Sequence, residues 1–221
     1  MESAQRPQNE SERLAVLKRL NILDTDPEKT FDDIVALASR ICGTQISLIS
    51  LVDANRQWFK AKTGVNAEET PREVAFCAHA ILDDEIMIVE DARADDRFAD
   101  NPLVTELPKI RFYAGMPLQI EDNVNIGTLC VIDQKPKQLS KEQLESLRVL
   151  GRAVVAHMRL NRLDQVWPGI GKRQTVCAWC LAVRTEVNGV ETWRPLHEYV
   201  ADIERVSHGM CPACAAKQTG E

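Results

Sequence analysis

The sequence predicts an α+β fold, a central antiparallel sheet of five to six strands with flanking helices, joined to a small cysteine-rich C-terminal module. Three observations carry that prediction. Apolar residues recur at helical spacing in three stretches, around Leu17, Ala38 and Leu147. Between them lie short runs rich in β-branched and aromatic residues, bounded by turn formers. Four of the seven cysteines form two CxxC pairs within the last 45 residues.

Each element has its own justification. Leu14, Leu17 and Leu20 mark a short amphipathic helix. Asp26-Pro27 reads as the start of a second helix, a capping residue before a first-turn proline. Phe31, Ile34, Ala38 and Ile41 continue its stripe, and Gly43 stands where a C-terminal cap belongs. Strand-like runs follow at 45–53, 56–64, 85–92, 110–120 and 124–133. Glu121-Asp122-Asn123 separates the last two as a hairpin turn. Pro117 implies an edge or a bulge, because proline has no N–H to give to a ladder. Ser140 with Gln143 makes a capping box, and Leu144, Leu147, Leu150, Val154 and Met158 stripe the long helix behind it.

Composition narrows the function. At 221 residues, 44% hydrophobic and 27% charged, the chain is an ordinary globular one. Its net charge of −6 excludes a general nucleic-acid binder. No apolar run approaches the roughly 20 residues that cross a bilayer, and MESAQRPQNESER lacks the apolar core of a signal peptide. The expectation is a cytoplasmic protein with no membrane of its own. From Val166 on, six basic and six acidic residues balance, so the whole negative charge lies before that point. Trp167-Pro168-Gly169-Ile170-Gly171 reads as part of a linker. The boundaries are therefore a domain at 10–165, a linker at 166–175 and a four-cysteine module at 176–216.

RQWFKAKTG (56–64), PREVAFCAHAIL (71–82), VEDARADDRFADNP (89–102), IRFYAGMPLQI (110–120) and IGTLCVIDQKP (126–136) follow one another in an order that resembles a GAF domain of the bacterial signalling type. The resemblance implies a PAS-like sheet with a pocket on one face and dimer-forming helices on the other. It implies a sensor of a small molecule or chemical signal. The NKFDE-type signature of cyclic-nucleotide-binding relatives is missing, and bilin-binding relatives carry Cys directly followed by His, where this chain has Cys77-Ala78-His79. The cysteine pattern of the GAF enzymes that reduce free methionine sulfoxide is not recognisable either. A chain of this length leaves no room for a GGDEF, kinase or phosphatase output domain, so a separate downstream signalling protein is expected.

Phe76, Cys77, His79, Asp91, Phe98, Arg111, Tyr113 and Thr128 are the candidate ligand-binding residues. Cys77 and His79 would share a face on a strand but not on a helix. A buried cysteine behaves most often as a small hydrophobe, and Cys130, in an apolar strand, reads the same way. Asp91, Asp95 and Asp96 with Arg93 and Arg97 form a charged loop that is either a ligand rim or a solvated surface. Gly115 and Gly127 admit close approach of a neighbour, or mark a twist or bulge. Ser-His-Asp, Walker and GxGxxG patterns are absent from the first 165 residues, so the chain is expected not to be an enzyme.

Cys177, Cys180, Cys211 and Cys214 are candidate ligands of a structural Zn2+, since two CxxC pairs fold four thiolates around one tetrahedral ion. About 45 residues cannot bury enough apolar surface to fold unaided. Leu181–Arg184 and Val190–Arg194 around Asn188-Gly189 read as a hairpin, and Leu196–Ile203 as a short helix. The segment resembles a C-terminal element of bacterial sensory proteins with CAxC early and SHGxCPxC late. The leading expectation is thus a sensory protein, a homodimer whose GAF domain binds a small ligand. The alternative is a cysteine-based redox sensor or thiol oxidoreductase using Cys77, Cys130 or the tail pairs.

Overall fold

Helix α1 (Glu10–Leu20) has acidic residues in its first turn and Lys18 and Arg19 in its last, the arrangement its macrodipole favours. Helix α2 (Lys29–Cys42) ends at Gly43, which adopts the left-handed conformation of a C-terminal cap. Asp26-Pro27 is not the start of α2: the N-cap is Glu28, and its carboxylate is engaged by other elements instead of the helix's own N–H groups. The computed structural model describes residues 3–166 and, beyond them, 174–177, 180, 182–187, 190–194 and 206–209.

The sheet comprises β1 (Ile46–Val52), β2 (Arg56–Thr63), β3 (Glu69–Pro71), β4 (Met87–Val89), β5 (Phe112–Glu121) and β6 (Val124–Asp133). Its order is β3-β2-β1-β6-β5-β4, with every pair antiparallel. Strand β3 was not foreseen, because three residues are too few to show alternation. The 85–92 run yields only the three-residue edge strand β4. At Pro117 the β5–β6 register slips, so the proline marks a bulge. Between β3 and β4 stands the short helix α3 (Phe76–Ala80), and between β4 and β5 the single turn α4 (Pro102–Thr105). Helix α5 (Lys141–Val166) opens with the capping box: Ser140 N–H donates to Gln143 Oε1 at 2.9 Å, and Gln143 N–H to Ser140 Oγ at 3.3 Å.

Both faces of the sheet are covered, and all ten residues of β6 are buried. One face carries Ile49, Leu51, Phe112, Leu118, Ile126 and Leu129 against α1, α2 and α5. The other carries Leu48, Val52, Phe59, Tyr113, Cys130 and Ile132 against α3, α4 and the loops around them.

Two charged nodes tie the helices to the sheet. Arg13, 1% exposed, donates to the Val52 carbonyl at 2.5 Å and to both oxygens of Glu10. Arg72 joins the same carboxylate and also donates to the Asp53 carbonyl at 3.0 Å. In the second node, Glu28 accepts from Lys60 of β2 at 2.7 Å and from Asn161 of α5 at 2.7 Å, with His157 Nε2 3.3 Å away. The Lys60 ammonium is fully buried, 5.6 Å from the Phe31 ring centroid.

The chain divides between Arg162 and Leu163. In the second unit, β7 (Gln174–Cys177), β8 (Val183–Val187), β9 (Val190–Arg194) and β10 (Val206–Gly209) form a sheet of order β10-β7-β8-β9. Strands β8 and β9 pair from Val187↔Val190 outward, a hairpin joined at positions 188–189. The expected helix at 196–203 lies outside the described residues. Among the described residues no helix is long and apolar enough to cross a membrane.

The first node yields a pH prediction. Its two guanidinium groups hold Glu10 down to about 2, against the burial that raises it, from an ordinary 4.5. The carboxylate therefore stabilises the fold fully above pH 4.5, and the contribution disappears as pH falls toward 2. Glu10→Gln leaves Arg13 buried without its counter-charge and should cost about 2 kcal/mol at pH 7. Urea denaturation of both proteins at pH 7 and pH 3 should show that gap narrowing in acid.

Candidate functional site

The sheet face beneath α3 is apolar except at its centre. There Ser50 of β1 and Thr128 of β6 are paired neighbours, so their hydroxyls meet on one face. Cys130 follows Thr128 on the same face two residues on. Tyr113 reaches in from β5, with Gly115 beyond it. A Cβ at Gly115 would collide with the Tyr113 hydroxyl, and one at Gly127 with the Ser50 carbonyl, so both glycines serve close approach. From above, α3 lowers Cys77 into the group.

Cys77 Sγ is the centre of this cluster. Tyr113 OH donates to it at 3.3 Å and Thr128 Oγ1 at 3.1 Å, and Cys130 Sγ lies 3.9 Å away. Ser50 Oγ is buried there and otherwise unpartnered, which leaves it available to a charged sulfur. Burial pushes the Cys77 thiol up, but the Cys130, Ser50, Thr128 and Tyr113 donors outweigh it and bring the group to about 7. Burial holds Cys130 well above the ordinary thiol range and Tyr113 well above the phenol range, and a charged Cys77 reinforces both. The surroundings thus favour charge on the Cys77 sulfur over charge on Cys130 or Tyr113. An ionisable thiol so placed is a nucleophile, a redox group or a soft-metal ligand.

Around the cluster stand aromatic rings. Phe76 stacks on Phe98 at 4.0 Å with a 10° interplanar angle, and its ring centroid is 5.3 Å from that of Tyr113. His79 meets Phe98 edge-on at 4.8 Å, and the Arg97 guanidinium lies 5.0 Å over the Phe98 ring. Phe76, Cys77, Tyr113 and Thr128 thus converge directly, and Phe98 and His79 continue the group outward. Cys77 and His79 lie on a helix and leave it in different directions. Asp91 and Arg111 stand apart: Asp91 holds Arg93 in a bidentate pair at 2.7 and 3.0 Å, while Arg111 donates to the Val104 and Ile110 carbonyls at 2.8 and 2.9 Å. Ser50 was not singled out in the sequence, although a hydroxyl inside the apolar run ISLISLV was a signal.

In the second unit, the Cys177 N–H donates to the Ala182 carbonyl at 2.8 Å; Cys177 is buried and Cys180 exposed. Cys177 pairs with Gly209 in the parallel β7–β10 ladder. Cys211 and Cys214 lie outside the described residues.

Residues 26–158 match the GAF domain. The chain belongs to the GAF family. A cyclic di-GMP phosphodiesterase of Pseudomonas aeruginosa is 41% identical over 157 residues, 71% of this chain and 27% of that protein. The chain therefore spans about a quarter of that relative's length. Among solved structures, the GAF domain of a phosphoenolpyruvate-protein phosphotransferase from Coxiella burnetii superposes with a TM-score of 0.54 at 13% identity, covering 71% of this chain and 98% of that one. The PixJ GAF domain of Thermosynechococcus elongatus, in its blue-light absorbing form, gives 0.50 at 18%, covering 71% and 94%. Both share the α+β GAF fold, which in this chain carries a six-stranded antiparallel sheet. The expectation that it is not an enzyme is corrected by the Pseudomonas relative, which is named for a phosphodiesterase activity. Lacking triads, Walker loops and GxGxxG excludes only the chemistries those motifs serve.

The donor set around Cys77 makes a direct prediction. Tyr113→Phe removes one hydrogen bond to a charged sulfur and should raise the Cys77 midpoint from about 7 by roughly one pH unit. Thiolate absorbance, taken as the difference from Cys77→Ser, reads that shift without needing access to the buried sulfur.

Proposed function

We propose that this GAF protein is a sensory component of cyclic di-GMP signalling, in which a small molecule or chemical signal is received beneath α3 and passed to the helices on the opposite face. The single observation that carries this reading is the 157-residue match, at 41% identity, to a cyclic di-GMP phosphodiesterase. The separation of faces supports it. The polar cluster lies on the α3 side of the sheet, and α1, α2 and α5 lie on the other.

The receiving unit acts as a homodimer through α5. Val149, Ala153, Ala156 and Leu160 are exposed on that helix at 4-3-4 spacing, which is the seam of a coiled coil. Val149 is 49% and Leu160 55% exposed, unusual for large apolar side chains, and Ile41 and Leu150 border the same surface. The pocket ligand, where one binds, contacts Phe76, Phe98 and Tyr113. The tail holds a structural zinc through Cys177, Cys180, Cys211 and Cys214. The hydrogen bond from the Cys177 N–H to the Ala182 carbonyl suits a zinc knuckle, and the β7–β10 pairing brings Gly209, two residues before Cys211 in sequence, beside Cys177.

The decisive experiment measures cellular cyclic di-GMP in the native host. Deleting the chain, or introducing Val149→Asp to prevent dimerisation, should change the level at least twofold; an unchanged level in both strains rejects the reading. Metal analysis of the full chain purified with reductant should find about one zinc per polypeptide. Cys211→Ser with Cys214→Ser should lose it.

A further inference from the structure

We propose that Cys77 and Cys130 form a redox couple in which a hydroperoxide-class oxidant converts the buried dithiol to a disulfide joining α3 to β6. The inference rests on the reading of the α3 face as the receiving face and names the chemistry received there.

The two cysteines are 53 residues apart, yet the fold sets their sulfurs 3.9 Å from each other. A disulfide is about 2.05 Å long, so the sulfurs must close by roughly 2 Å. The movement falls to α3. Cys130 is in the fully buried strand β6, paired on both sides by β1 and β5. Cys77 is on a helix of five residues with no side-chain N-cap. The polarity of the cluster also needs a reason. Ser50, Thr128, Tyr113 and two thiols occupy a face where apolar side chains would pack without cost, and the buried Ser50 hydroxyl has only the Cys77 sulfur to serve. These donors surround one sulfur, which is the arrangement that keeps a thiolate ready. Phe76 and Phe98 wall the cluster, and Cys77 and Cys130 are 1% and 0% exposed. That enclosure admits a small peroxide when α3 loosens and excludes bulky disulfides.

The step balances as follows. The Cys77 thiolate attacks one peroxide oxygen, forming an S–O bond as the O–O bond breaks. The departing oxygen takes up a proton and leaves as water, or as an alcohol from an organic hydroperoxide. Cys130 then gives up its proton and attacks the Cys77 sulfenyl sulfur, forming the S–S bond. The hydroxide displaced from Cys77 takes that proton and leaves as water. Two thiols lose two electrons, and the peroxide gains them. Thr128, Tyr113 and Ser50 act as positioning residues for the charged sulfur.

The test treats the reduced full-length chain with hydrogen peroxide, blocks remaining thiols in denaturant, and maps the cross-links by non-reducing peptide mass spectrometry. The expected product is a Cys77–Cys130 linked peptide, reversed by dithiothreitol. Its rate of formation should fall about tenfold for each pH unit below about 7. In Cys130→Ser, Cys77 should accumulate as a sulfenic acid captured by a dimedone probe. Thr128→Val, which keeps both cysteines, should slow formation several-fold, and circular dichroism confirms that each variant is folded. Cross-links confined to the tail cysteines, Cys77 oxidised to sulfinic acid with Cys130 still a thiol, or no oxidation of the pair would each overturn the proposal. A linked pair in a protein whose deletion leaves cyclic di-GMP unchanged rejects the signalling role while the redox couple stands. A cyclic di-GMP response without a linked pair does the reverse.

Discussion

Everything at the centre of the first unit follows from the pairing of β1 with β6. Both strands are covered on both faces, so neither has a position where a polar side chain can turn to water. The register sets Ser50 opposite Thr128 and Leu48 opposite Cys130, and Gly127 lets Ser50 come close. Slipping that register by one residue would send the hydroxyls and the thiol to the α2 side, and Ile49, Leu51 and Leu129 to the α3 side. The site and the core are thus specified together. A change that disturbs one will disturb the other.

The family-level architecture was legible because it depends on local patterns. The stripes of α2 and α5, the capping box at Ser140 and the left-handed Gly43 are each set by residues within a few positions of one another. Elements governed by distant partners were harder to read. Glu28 heads α2 in place of Asp26 because Lys60, His157 and Asn161 claim its carboxylate, and those residues lie 32 to 133 positions away. Strand β3 exists because β2 offers it an edge, through the pairs Arg56↔Pro71 and Trp58↔Glu69.

The candidate site divides along the same line. Phe76, Phe98 and Tyr113 stood out as aromatics in family-like segments, and the fold brings them into one column. Cys77 and Cys130 each read as an isolated buried cysteine, since their proximity is a product of α3 folding over the sheet. Asp91 and Arg111 drew attention by charge alone. In the fold their charges are used locally, one on a neighbouring arginine and the other on loop carbonyls. Function by convergence of distant residues leaves little trace in any one segment.

The Glu28 node bears on how α5 can move. Near its start, Gln143 donates to the Ile41 carbonyl at 2.9 Å; further along, His157 and Asn161 grip the Glu28 carboxylate. Those anchor points are roughly 21 Å apart along the axis at 1.5 Å per residue. A rod pinned at two places on one body resists sliding lengthwise. The same bonds lie off the axis and, with Arg159 donating to the Ile120 carbonyl, resist turning as well, so α5 extends the domain as a rigid lever.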